Sequence, residues 1–132
     1  MFNPLVSIIV RTKNEDFWIG KCLNEIYNQK YKNFEVILVD NNSKDKTISI
    51  VRKNFPKVKI VNYKSKVFFP GKALNLGINK SKGQLIAMIS GHCIPKNNDW
   101  LKNLVRNFNN SNVIACYGRQ EPSDISEPND VR

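Results

Sequence analysis

The chain has 132 residues, room for one modest domain with a real core, and its 41% hydrophobic and 24% charged composition is ordinary for a soluble globular protein rather than a disordered one. No apolar run approaches the roughly 20 residues of a membrane span, and residues 1–11 lack the basic-then-apolar layout of a signal peptide, so a cytoplasmic location is expected. The formal net charge of +10 is uneven: residues 44–66 hold eight basic side chains against the acid Asp45, so one face should attract nucleic acid, anionic lipid headgroups or phosphorylated substrates unless it is only a solvated lysine-rich surface.

The predicted elements alternate strand and helix. Residues 5–10, an apolar run behind Pro4, read as the first strand. Arg11, Thr12, Lys13, Asn14, Glu15 and Asp16 form a polar loop in which Asn14 or Asp16 could cap a helix. Ile19, Cys22, Leu23 and Ile26 then give that helix an i, i+3, i+4, i+7 apolar stripe. Residues 34–39 are the second strand, and the β-branched Val36, Ile37 and Val39 in a nearly unbroken apolar run mark it as buried on both faces, as in a parallel sheet. Asp40 sits where that strand stops. Asn41, Asn42, Ser43 and Asp45 supply turn and cap chemistry ahead of a helix with Ile48, Val51 and Phe55 on one face, ending at Pro56.

Residues 58–63 read as a shorter third strand, and 64–71 as a loop whose Phe68, Phe69 and Pro70 could form a ligand wall or a local plug. Ala73, Leu74, Gly77 and Ile78 make the next helical face, with Gly77 permitting close approach of a neighbour. The fourth strand, 85–89, runs into a loop at 90–95. Trp100, Leu101, Leu104, Val105 and Phe108 mark a helix begun near Asn98 or Asp99, and 113–117 a fifth strand. The last fifteen residues, with four acids, read as a loop or frayed end.

This alternation predicts an α/β fold, a mostly parallel sheet with helices on both faces. Three loops, 11–16, 40–45 and 90–95, should then meet at the carboxyl edge of the sheet, where such folds place their ligand crevice. None contains GxGxxG or GxxxxGK[ST], so neither the usual dinucleotide fold nor a P-loop is supported. Cys22, Cys93 and Cys116 are odd in number and unclustered, and the chain has one histidine, too few ligands for structural zinc; buried free thiols are expected.

Four stretches carry a family resemblance: SIIVRTKNE at 7–15, FEVILVDNNSKDKT at 34–47, PGKALNLGINKSKGQLIAMIS at 70–90 and the helix starting at Asp99. Together they resemble the donor-binding half of family 2 glycosyltransferases, with the Rossmann-like GT-A nucleotide-diphospho-sugar transferase fold. The resemblance implies a nucleotide diphosphate sugar as donor, usually with a divalent cation such as Mg²⁺ or Mn²⁺, and an acceptor that is a saccharide, lipid or protein. By matching position, it implies that Thr12, Asn14 and Glu15 line the base and ribose pocket, that Asp40 binds base or ribose, and that Asn42 lies beside it. Lys72 and the amino end of its helix could approach the diphosphate, and Ser90 becomes a substrate contact. The residue chemistry agrees, since a carboxylate accepts from base N–H groups or ribose hydroxyls and Asn both donates and accepts. Turn stabilisation by Asp40 and Asn42, and a solvated Lys72, are the alternative.

One motif departs from the family. Ser90, Gly91 and His92 stand where D-x-D is usual, so a hydroxyl and an imidazole replace two hard carboxylate ligands. His92 is the candidate metal ligand, or a diphosphate contact when protonated; with Ser90 it makes no hydrolase triad, because no nucleophile elbow is present. The expected organisation is a nucleotide-sugar-binding domain at 1–117 and an acidic tail at 118–132 leading toward an acceptor-binding half. That half, which supplies the base in inverting members, is not seen here, so the isolated chain is expected to bind donor and transfer sugar poorly, as a truncated enzyme or one needing a partner. A non-catalytic nucleotide-sugar-binding module is one alternative, and a basic surface for nucleic acid or for the inner face of an anionic membrane is another. Nucleic acid is disfavoured by the lack of an RNA-binding signature or base-stacking motif.

Overall fold

The computed structural model describes residues 1–124. Strands β1 (Val6–Thr12), β2 (Phe34–Asp40), β3 (Lys59–Asn62) and β4 (Leu85–Ser90) form one parallel sheet in the order β3-β2-β1-β4. Helices α1 (Ile19–Tyr27), α2 (Thr47–Asn54) and α3 (Pro70–Asn79) are the crossovers, and α4 (Trp100–Val105) follows β4 and ends in a 3-10 turn, Arg106–Asn109. The first two crossovers step one way along the sheet and the third returns past β2 and β1. Right-handed connections therefore put α1 and α2 on one face and α3 on the other.

The side chains divide accordingly. Val6, Ile8, Val10, Val36 and Leu38 meet Cys22, Leu23 and Ile26 of α1, Val51 of α2 and Leu101 and Val105 of α4. Alternate residues Ile9, Ile37 and Val39 meet Ala73 of α3. Gly77 lets α3 come this close: a Cβ there would lie 2.6 Å from Ile9 Cγ2 and 2.9 Å from Val39 Cγ2. Because α3 seats on β1 and β2, it covers the same face of β4 only in part: Ile86 packs against this cluster, while Met88 is 58% exposed.

The predicted helices and first four strands are present, with β1 running two residues further, to Thr12. Helix α3 starts at Pro70, inside the expected loop, since proline suits a first helical turn whose N–H would be unsatisfied anyway. Neither Asn14 nor Asp16 caps α1, whose amino end at Trp18 has no side-chain cap. The expected fifth strand is absent. Val113 N–H donates to Asn110 O at 3.0 Å, Cys116 Sγ to Leu104 O at 3.6 Å, and Ile114 and Tyr117 are 94% and 96% exposed. An apolar run becomes a strand only against a pairing edge, and residues 113–117 lie by the end of α4 rather than on a strand. Cys22 is buried as expected, whereas Cys93 and Cys116 are half-buried, so the buried-thiol expectation holds for one of the three. Residues 118–123 have no regular structure; the rest of the expected tail, 125–132, lies outside the described residues. Among the described residues no helix is long and apolar enough to cross a membrane.

Candidate functional site

The three loops do converge at the carboxyl edge. Asn41 N–H donates to Thr12 O and Gly91 N–H to Arg11 O, both at 2.9 Å, carrying the sheet pairing one residue past the strand ends. The β1–α1 and β2–α2 loops are then strapped together. Asn14 N–H donates to Ser43 Oγ at 2.9 Å, Glu15 N–H to Thr47 Oγ1 at 2.8 Å and Asp16 N–H to Asp45 Oδ2 at 3.0 Å, while Lys44 N–H returns a bond to Asn14 Oδ1 at 2.8 Å. Asn14 and Asn42 have φ of 52° and 53°, left-handed backbone that asparagine tolerates better than most residues. Asp45 Oδ1 also accepts from Thr47 N–H at 2.9 Å and Thr47 Oγ1 at 2.6 Å. Burial pushes the Asp45 carboxyl up, but the hydrogen bonds from Thr47 and Asp16 outweigh it and hold the group below the usual carboxylate range.

Asp40 is 2% exposed. Its Oδ2 accepts from Ser43 N–H at 2.9 Å and its Oδ1 from the Ser43 hydroxyl, so the carboxylate does stabilise its own turn. Those bonds engage two of its roughly four acceptor positions. Beside it, Thr12 Oγ1 and both amide atoms of Asn41 are buried without a hydrogen-bond partner. Asn41 is a site residue that sequence reasoning treated only as turn chemistry, and nothing in its local pattern marks it as buried.

The third loop closes the edge. Ser90 Oγ accepts from Arg11 Nε at 3.0 Å, and His92 Nδ1 lies 2.9 Å from Glu15 Oε1. A Cβ on Gly91 would lie 3.0 Å from Thr12 Oγ1 and 3.3 Å from Ile19 Cδ1, so the loop passes against β1 and α1. Beneath it, Cys22 Sγ donates to Ser90 O at 3.9 Å, and its thiol is pushed up to about 12 by burial first, then by Cys93 and Glu15. Thr12, Asn14, Glu15, Asp40, Ser90 and His92 thus share one connected edge. Asn42 is exposed and meets Lys44 Nζ at 3.4 Å through its Oδ1. Lys72 is exposed in the first turn of α3, its Nζ 4.8 Å from the Phe69 ring centroid. Phe68 and Phe69 are 38% and 47% exposed, with Phe68 edge-on to Tyr63.

The donor set does not fit a hard dication held by paired carboxylates. Glu15 is engaged by His92, Ser90 Oγ by a guanidinium that would repel such an ion, and Asp40, with acceptor positions still open beside its bonds to Ser43, is one carboxylate rather than a pair. Among the described residues no group of three His, Cys, Asp or Glu side chains gathers as a metal site.

Residues 7–130 match glycosyl transferase family 2. The chain is 34% identical over 111 residues to the dolichyl N-acetyl-alpha-D-glucosaminyl phosphate 3-beta-D-2,3-diacetamido-2,3-dideoxy-beta-D-glucuronosyltransferase of Methanococcus voltae, spanning 78% of this chain and 33% of that protein. It is 32% identical to glycosyltransferase AglE of Haloferax volcanii over 89% of this chain and 40% of that one. Its fold resembles the mannosyltransferase of Pyrobaculum calidifontis in complex with GDP-Man and Mn²⁺, with a TM-score of 0.73 at 29% identity over 80% of this chain and 32% of that one. Residues 1–349 of S. aureus TarS in complex with UDP-GlcNAc give a TM-score of 0.73 at 26% identity over 89% of this chain and 37% of that one. The chain therefore spans 33% and 40% of the two curated relatives' own lengths. On this match and this topology, the chain belongs to glycosyl transferase family 2 and has the GT-A fold.

Proposed function

We propose that this domain binds a nucleotide diphosphate sugar at the carboxyl edge of its sheet, as donor for glycosyl transfer to a saccharide, lipid or protein acceptor. The observation that carries the reading is the buried, unpartnered polar set of Thr12 Oγ1 and the Asn41 amide beside Asp40. Such atoms cost about 1–3 kcal/mol each when left unsatisfied; each has less than 1 Å² exposed, so a nucleoside, which offers N–H, C=O and hydroxyl groups, would satisfy them once the loops part to admit it. In this reading Thr12, Asn14 and Glu15 line the base and ribose, Asp40 accepts from a base N–H or a ribose hydroxyl, and Asn42 stands at the margin. Ser90, Lys72 and the amino end of α3 face the diphosphate. Residues 1–117 are the donor-binding unit, and 118–132 lead toward an acceptor-binding region; no residue here is assigned as the catalytic base.

The neighbour in complex with GDP-Man and Mn²⁺ supports divalent-cation use in the family. In this chain His92 is the side chain of the 90–92 loop able to ligate one, and the poor donor set predicts weak metal dependence. The basic residues at 44–66 support peripheral contact with the anionic inner face of a membrane from the cytoplasm. Calorimetric titration with UDP-, GDP- and dTDP-sugars, with and without Mn²⁺, tests the reading: one should bind saturably, and binding of none would sink it. The absence of D-x-D favours a second reading, a nucleotide-sugar-binding module without catalysis. Donor turnover by the bound protein would exclude it.

A further inference from the structure

We propose that Arg11 supplies the fixed positive charge that neutralises the donor diphosphate, in place of a cation held by paired carboxylates; this rests on the nucleotide-sugar reading above. Arg11 and Ser90 are register partners on the adjacent strands β1 and β4. The chain leaves β1 toward β2 on one side and reaches β4 on the other, so the two residues flank the point where the winding reverses, the place open α/β sheets bind ligands. The Nε–H of Arg11 donates to Ser90 Oγ at 3.0 Å, which fixes the side chain at the head of the loop where D-x-D is usual.

That bond leaves both terminal nitrogens of the guanidinium free to act. Among the described residues no acceptor bonds to them and no carboxylate forms an ion pair with Arg11, while the neighbouring Glu15 carboxylate is taken by His92. The residue is half-buried, and a half-buried cation without a counterion is a group that gains from an anion. A guanidinium is always charged and its planar fork matches phosphate oxygens two at a time. The same charge repels a dication from Ser90, so one residue both attracts the diphosphate and disfavours the metal. Lys72 is also a cation, but it is exposed, with its ammonium over Phe69, and no bond fixes it at the Ser90 loop as Arg11 is fixed. Helix α3 adds to the field: it runs back against β3, so its amino end, with no side-chain cap, lies at this edge of the sheet.

The test is calorimetric titration of the whole chain with uridine, UMP and UDP and with guanosine, GMP and GDP, in EDTA and in Mn²⁺, repeated for Arg11→Met and Arg11→Lys. The wild type should bind the diphosphate more tightly than its nucleoside, with less than about a twofold difference between EDTA and Mn²⁺. Arg11→Met should lose about tenfold to a hundredfold of diphosphate affinity and leave nucleoside affinity unchanged; Arg11→Lys should keep part of it. A diphosphate preference that vanishes in EDTA and returns with Mn²⁺ overturns the inference even where a variant fails to fold. So does a preference that survives Arg11→Met, or an equal loss of nucleoside and diphosphate binding, which would make Arg11 a support for the Ser90 loop. Wild-type protein that binds none of these nucleosides or nucleotides, nor thymidine or dTDP, removes the nucleotide-sugar reading itself.

Discussion

Gln29 ties the segment after β4 to the body of the domain, and its replacement by leucine is the sharpest test of how that segment is held. The side chain is completely buried. Its amide donates to Glu25 O at 3.0 Å and Asn97 O at 2.8 Å, and its carbonyl accepts from Leu101 N–H at 3.0 Å. Leu101 lies in the first turn of α4, which has no side-chain cap, so Gln29 takes up an N–H that the helix itself leaves orphaned. Gln29→Leu keeps the bulk and removes every bond. The buried Leu101 N–H, left unsatisfied, costs about 1–3 kcal/mol, while the carbonyl of exposed Asn97 rehydrates and its lost bond costs about 0.5–1.5 kcal/mol. The expected destabilisation is about 2–4 kcal/mol, a large share of the ~5–15 kcal/mol typical of a domain. Urea unfolding followed by circular dichroism should show a lower midpoint at unchanged slope. A loss below about 0.5 kcal/mol, the range of an indifferent surface change, would refute the account.

Three further outcomes follow from particular contacts. Gly77→Ala should destabilise by up to about 2 kcal/mol, the overpacking of Ile9 and Val39 (about 1–3 kcal/mol) less the helix-propensity gain of ~1 kcal/mol; a raised thermal midpoint would show that α3 can shift freely. The Asp45 carboxyl titrates below its ordinary value in the folded state, so in acid the unfolded chain binds more protons than the folded one. The stability difference between wild type and Asp45→Asn should therefore be fully present above the ordinary value of about 3.9 and disappear as pH falls through the lowered one; a difference that grows in acid would contradict this. Cys22, with its thiol pushed up to about 12, should not react with a disulfide reagent at pH 8 until the protein unfolds, whereas Cys93 and Cys116 should react in the native state.

Why some of this was legible in the sequence, and some not, has a physical basis. Residues 34–40 announce a doubly buried strand because β-branched apolar side chains run without alternation, and the structure buries Val36 to Asp40 on both faces. The convergence of the three loops follows from parallel pairing, which puts every strand's carboxyl end at one edge. Pairing partners are another matter. Residues 113–117 have strand composition, but composition says nothing about whether an edge is within reach. Asn14 looked like a helix cap, and its amide bonds to Lys44 of the next loop, 30 residues away, a contact no local pattern encodes. Arg11 was visible only as one charge in a polar loop; its meaning depends on facing Ser90 across two strands.

Asp40 shows how the two accounts of an acid at a strand end can both hold. Its bonds to Ser43 make it a turn residue, and had they used all of its acceptor capacity the ligand reading would fail. A carboxylate offers about four lone-pair positions, and two remain, next to the unsatisfied Thr12 hydroxyl and Asn41 amide. The turn bonds also fix the direction in which the remaining positions point, which lowers the ordering cost of binding. The consequence is a division of labour within one loop: Ser43 and Asp45 hold the backbone, and the polar atoms left over are those a ligand can use. Replacing Asp40 would therefore damage turn and pocket together, whereas Ser43→Ala removes the hydroxyl's bond to Asp40 and its strap to Asn14 N–H but leaves the carboxylate in place. Charge completes the division. The loop from β2 presents an acceptor and the end of β1 a guanidinium, which under the proposed function would take the base or ribose and the phosphates respectively.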